Sequence, residues 1–91
     1  MLDKAKINES DSKQKLVIAV TMATSRQGIG VVNELSRTNK YQIRAITRNT
    51  RSTKALKLAS LNNVQVVQGD LMKPLSLNKA FEGVNAIFGN T

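Results

Sequence analysis

Apolar residues come along this chain in two rhythms that alternate. Leu16, Val17, Ile18, Ala19 and Val20 form an unbroken apolar run, too short for a helix and rich in β-branched side chains. A strand covered on both faces reads this way, and such strands belong to parallel sheets. After a polar turn at 21–27, Ile29, Val32 and Leu35 or Ser36 share one stripe at helical spacing. Arg37 falls in the last turn of that helix, where its charge suits the dipole, and Thr38, Asn39 and Lys40 make a turn. Strand character returns over residues 41–47, with Ile43, Ala45 and Ile46 apolar.

The same alternation repeats downstream. The spacing of Ala55, Leu58 and Ala59 predicts a helix over 50–61, ended by Asn62 and Asn63. Val64, Val66 and Val67 mark a third short strand, closed by Gly69 and Asp70. Pro74 suits the first position of a third helix, where its missing N–H costs nothing. Leu77, Ala80, Phe81 and Val84 give that helix its apolar stripe, and Gly83 is its expected stop. Ala86, Ile87 and Phe88 lie within a fourth strand expected at 85–89. The order β-α-β-α-β-α-β with short connections predicts an α/β fold with parallel strands and right-handed crossovers. That is half of a doubly wound Rossmann sheet in the order 3-2-1-4, with its phosphate site at the end of the first strand.

Length and composition narrow the chemistry. Ninety-one residues fit one small domain. The chain has no cysteine and no histidine, so disulfides, thiolate metal sites and the commonest general base are excluded. Residues 1–14 are polar and lack hydrophobic periodicity, and a disordered leader is expected there. Asp3, Glu9 and Asp11 argue against a signal or transit peptide. No apolar run approaches the roughly 18 residues that span a membrane, so a cytoplasmic or nuclear protein with no membrane partner is expected. The formal charge is +8, from 14 Lys and Arg against 6 Asp and Glu. The basic residues are dispersed, and Tyr41, Phe81 and Phe88 supply no stacking platform, which weighs against nucleic acid as a partner.

The turn after the first strand carries the clearest functional signal. It reads Val20-Thr21-Met22-Ala23-Thr24-Ser25-Arg26-Gln27-Gly28-Ile29-Gly30. This segment resembles the glycine-rich turn of the NmrA-like family. These are atypical short-chain dehydrogenase/reductase relatives that include nitrogen-metabolite repressors and NADPH-sensing redox regulators. The second strand and its basic turn, Arg44-Ala45-Ile46-Thr47-Arg48-Asn49, are similar to that family's. So are Val66-Val67-Gln68-Gly69-Asp70-Leu71 and Phe81-Glu82-Gly83-Val84, and the likeness covers residues 16–91. It implies an NAD(P)-binding domain, represented by its N-terminal part over 15–91. It also implies that Thr21, Ala23, Thr24, Ser25, Arg26, Gln27 and Gly28 form the phosphate turn, with Asp70 and Leu71 beside the adenine.

The family's three turn glycines map onto Met22, Ser25 and Gly28. Met22 brings a side chain to a place where a left-handed backbone would cost on the order of 1–2 kcal/mol. Ser25 is the milder change, its hydroxyl being a candidate donor to a phosphate oxygen. Gly28 keeps the position that lets helix and strand pack closely. An NAD-preferring fold places an acid at the end of its second strand, whereas this chain has Thr47-Arg48 with Arg51 close behind. Arginine suits a 2′-phosphate, so NADP(H) is the expected dinucleotide, held by Arg48 and Arg51.

No Tyr-x-x-x-Lys pair occurs in the 91 residues, and Tyr41 opens a predicted strand. The expected function is an NADP(H)-binding, redox-sensing, regulatory or reductase-related domain part that is not catalytic alone. Two alternatives stand beside it: a truncated remnant without ligand, and a basic module for nucleic acid or an acidic protein. Self-association through the bare edge of the fourth strand is a further expectation.

Overall fold

The computed structural model describes residues 15–89. The leader expected at 1–14 and the pair Asn90 and Thr91 lie outside the described residues. The strands are β1 (Leu16–Val20), β2 (Tyr41–Thr47), β3 (Val64–Gln68) and β4 (Ala86–Phe88). The helices are α1 (Arg26–Thr38), α2 (Thr53–Ala59) and α3 (Pro74–Ala80). All strand pairs are parallel and the sheet order is β3-β2-β1-β4, as the alternation predicts. Ile18 is a register point shared by both neighbours of β1, facing Ile43 on one side and Ala86 on the other.

Side-chain alternation along the strands separates two cores. Val20, Ile43 and Ala45 join Val32 of α1 and Leu58 of α2 on one face. Ala19 and Ile46 meet Ala80 of α3 on the other, with Leu77 and Phe81 packed alongside. Small residues let the helices approach. A Cβ on Gly69 would lie 2.7 Å from Ile46 Cγ2 and 3.2 Å from Leu77 Cδ2, so only glycine fits where β3 leaves the sheet under α3.

Three boundaries differ from the expected ones, each because a side chain takes a backbone group. α1 begins at Arg26 instead of after Gln27, because Ser25 Oγ accepts the Gly28 amide at 3.0 Å and caps the helix. α2 is shorter than 50–61: Ser52 Oγ caps it through the Ala55 amide, and residues 50–52 form a turn braced by Asn49 Oδ1 on the Arg51 amide. β4 begins at Ala86 because Asn85 Oδ1 accepts the Val17 amide at 2.8 Å, replacing the ladder bond at its start. Gly83 stands beyond the end of α3, in a turn at φ 75°.

Two polar side chains join the layers. Arg44 Nη1 on β2 donates to the carbonyls of Ala80 and Glu82, satisfying acceptors left over where α3 ends. Asn63, 4% exposed, accepts from Ser36 Oγ at 2.8 Å and donates to the carbonyls of Ser36 and Tyr41. β4 pairs with β1 alone, and its three residues are exposed, so the edge expected to be bare is bare among the described residues.

Candidate functional site

The loops leaving β1, β2 and β3 converge at the carboxyl edge of the sheet around a cavity of about 460 Å³. Met22, Thr24 and Ser25 line it from the first loop, Ile46, Thr47 and Arg48 from the second, and Gly69, Asp70, Leu71 and Met72 from the third. This is the edge at which open α/β sheets bind ligands, because backbone donors and loop side chains meet there.

The first loop is fixed by the strands on either side. The Thr21 amide donates to Phe88 O at 3.1 Å and the Ala23 amide to Ile46 O at 2.9 Å. The Thr24 and Thr47 hydroxyls lie 3.3 Å apart, tying the turn to the end of β2. Met22 sits in the left-handed region at φ 49°, as expected of the position that calls for glycine, and its side chain is 42% exposed at the cavity. The hydroxyl of Ser25 is already engaged, donating to Met22 O at 2.8 Å while accepting from the Gly28 amide. Both bonds brace the turn and the start of α1, so a phosphate taking this proton would have to displace the Met22 carbonyl. Gly28 is buried, and a Cβ there would overlap Met22 O.

The expected site residues divide into two groups. Thr24, Ser25, Arg48, Asp70 and Leu71 come together around the cavity. Thr21, Ala23 and Gly28 are buried in the scaffold beneath it, whereas Arg26, Gln27 and Arg51 are exposed outside its lining. Arg26 and Gln27 belong to the first turn of α1, so their side chains fan outward from the helix. Thr47, Gly69 and Met72 line the cavity as well. The signal available for Thr47 and Gly69 was position, since each stands at the end of a strand on the ligand edge, whereas Met72 lies further along the third loop.

Charge is sparse here. Arg48 is exposed and has no ion-pair partner among the described residues. Asp70 Oδ1 accepts the Met72 amide at 2.9 Å, and the Asp70 amide donates to Ser76 Oγ at 3.0 Å. The carboxylate thus shapes the turn that leads into α3 through one oxygen. Among the described residues no group of three or more His, Cys, Asp or Glu could hold a metal ion. No helix among them is long and apolar enough to cross a membrane.

Comparison with known proteins places the chain in company consistent with this geometry. The model of the NmrA-like family matches residues 14–91. The NmrA-like family domain-containing oxidoreductase cpsB of Aspergillus campestris is 39% identical over 80 residues, covering 88% of this chain and 23% of its own. The like-named oxidoreductase notA' of Aspergillus versicolor is 43% identical over 74 residues, covering 81% of this chain and 20% of its own. The chain therefore spans about a quarter of the length of these relatives. Among solved structures, NmrA, a negative transcriptional regulator, superposes in its NADP complex with a TM-score of 0.74 at 30% identity. That match covers 86% of this chain and 24% of NmrA, and the NAD complex matches equally. The terminal R domain of the myxalamid PKS-NRPS pathway shares the fold, with a TM-score of 0.62 at 22% identity, covering 98% of this chain and 32% of that domain.

Proposed function

The chain belongs to the NmrA-like family, and from that premise we propose that its cavity takes the adenosine half of NADP(H). The observation that carries this reading is Arg48. It lines the cavity at the end of β2, where a fold selecting NAD places an acid, and it has no ion-pair partner among the described residues. A 2′-phosphate there gains a charge-assisted pair, while the same position offers the free 2′-hydroxyl of NAD no acceptor. Asp70 and Leu71 provide a carboxylate oxygen and an apolar wall for the adenine, and the first loop, which borders the cavity through Met22, Thr24 and Ser25, lies on the pyrophosphate side. Arg51, just outside the cavity, adds positive field at the same corner.

The role proposed for these residues is binding, in a redox-sensing, regulatory or reductase-related protein, and not catalysis by the 91 residues alone. That NmrA has been crystallised with both NADP and NAD supports a nicotinamide dinucleotide as ligand. The open edge of β4, with Ile87 and Phe88 exposed, supports pairing with a second copy; a monomer in sedimentation velocity would remove that part.

Calorimetric titration of the folded chain with NADPH and with NADH tests the reading. Saturable binding that favours NADPH is the expected result. A folded chain that binds neither would leave a dinucleotide-type scaffold that has lost its ligand.

A further inference from the structure

A second depression lies on the α3 side of the sheet, between β3 and α3, and it shares only Arg48 and Asp70 with the dinucleotide cavity. Its volume is about 610 Å³. Val67 and Ala80 are among its apolar lining residues, and Arg48, Lys73 and Lys79 bring three cations to it. None of the three has an ion-pair partner among the described residues. Asp70, the one acid in the lining, already accepts the Met72 amide. Leu75, also in the lining, is 83% exposed, and Met72 next to Lys73 is equally exposed. Leu75 thus sets apolar surface beside three unpaired cations, a combination that matches a segment carrying both acids and apolar side chains.

We propose that this groove docks an acidic protein segment carrying apolar residues, and that such a segment competes with NADP(H) for Arg48. Charge complementarity selects the acid: three unpaired cations face one carboxylate that is already engaged. Leu75 and Val67 select a protein over a nucleic acid, since the groove offers apolar contact but no aromatic face on which bases could stack. Arg48 lines both cavities, so its guanidinium serves a 2′-phosphate in one or a carboxylate in the other. Two ligands that need one cation oppose each other, and by linkage each weakens the other by the same factor. This coupling rests on the dinucleotide reading, whereas the groove itself does not.

The test is fluorescence anisotropy of the whole chain with a labelled peptide of Glu-Asp-Leu repeats, and with its Gln-Asn-Leu counterpart, at about 0.15 M salt, where bulk charge is screened. The acidic peptide should bind and the neutral one should not. Lys73→Glu with Lys79→Glu should weaken binding at least about tenfold, and Leu75→Ser several-fold, as loss of a specific contact requires. Lys54→Glu with Lys57→Glu, the same charge change on α2, should change it less than about twofold. An equal loss in both double variants would reduce the association to net charge and overturn the proposal, as would tighter binding of a DNA duplex through the same lysines. NADPH should raise the apparent Kd of the peptide. Peptide binding that ignores saturating NADPH would overturn the shared role of Arg48, and a chain that binds the peptide but no NADPH would overturn the dinucleotide reading instead.

Discussion

The α-carbon of Gly28 lies against the carbonyl of Met22, so closely that a Cβ would overlap that oxygen and stand 2.9 Å from Ala23 Cα. The first helix can reach the sheet only because this residue has no side chain. Gly28→Ala is therefore expected to cost about 1–3 kcal/mol through forced displacement of the loop. Gly30, two residues on in the same helix, has nothing within 4 Å of its Cβ position. Gly30→Ala should stabilise by about 0.5–1 kcal/mol through helix propensity. Urea unfolding of the two variants should move the midpoint in opposite directions.

Met22 holds a left-handed backbone at φ 49° without being glycine. Met22→Gly should relieve on the order of 1 kcal/mol of strain and clear the cavity beside the turn. Both a higher Tm and tighter NADPH binding are expected. A lower Tm would show that the side chain contributes more by packing than its backbone costs.

Ser25 does two things at once, capping α1 and bracing the Met22 carbonyl. Loss of its hydroxyl in Ser25→Ala should cost about 1 kcal/mol, and Ser25→Gly only a few tenths. A titration of both variants with NADPH separates cap from ligand. Affinity should follow stability, and a loss of affinity at unchanged stability would mean that the hydroxyl turns to the ligand after all.

Arg48 is the cavity's unpaired cation. Arg48→Asp should abolish any preference for NADPH over NADH, a change on the order of tenfold to a hundredfold given about 1.5–3 kcal/mol for a charged hydrogen bond. An unchanged NADPH/NADH ratio would remove Arg48 from the site. Because Arg48 is exposed, stability should hardly change.

Asn63 bonds to Ser36 and Tyr41 from a buried position. In Asn63→Ala the carbonyl of Tyr41 and the hydroxyl of Ser36 lose their partner, for an expected cost of about 2–3 kcal/mol. Thermal unfolding measures it. A change below about 0.5 kcal/mol would mean that water replaces the amide.

Much of this was legible from residue order. The run 16–20 read as a parallel strand because burial on both faces calls for continuous apolar sequence, and 41–47 read as its neighbour from Ile43, Ala45 and Ile46. Thr24, Ser25, Arg48, Asp70 and Leu71 could be placed at one edge because a strand end followed by a turn has only one side of the sheet on which to present them. The boundaries at Arg26, Thr53 and Ala86 were misplaced because side-chain caps, here Ser25, Ser52 and Asn85, decide them and carry no periodicity. Asn63 read as a helix terminator, and its bonds to Ser36 and Tyr41 could not be inferred, since they join segments 27 and 22 residues away.

The sequence by itself determined the alternation of strands and helices, and with it the sheet order and the edge that carries the loops. Burial period and chain connectivity are local properties that leave a few doubly wound orders, of which the Rossmann-type glycine turn selects 3-2-1-4. The left-handed turn at Met22 was also foreseeable, since the demand for glycine there is set by backbone sterics. Only the tertiary structure decided which loop residues share the cavity. Side-chain direction in a turn depends on contacts with distant strands, as in Thr24 with Thr47 and Ala23 with Ile46. It also decided that the Ser25 proton is spent on Met22, and that Arg48 borders two cavities at once. These are relations among atoms brought close by folding, and no spacing along the chain encodes them.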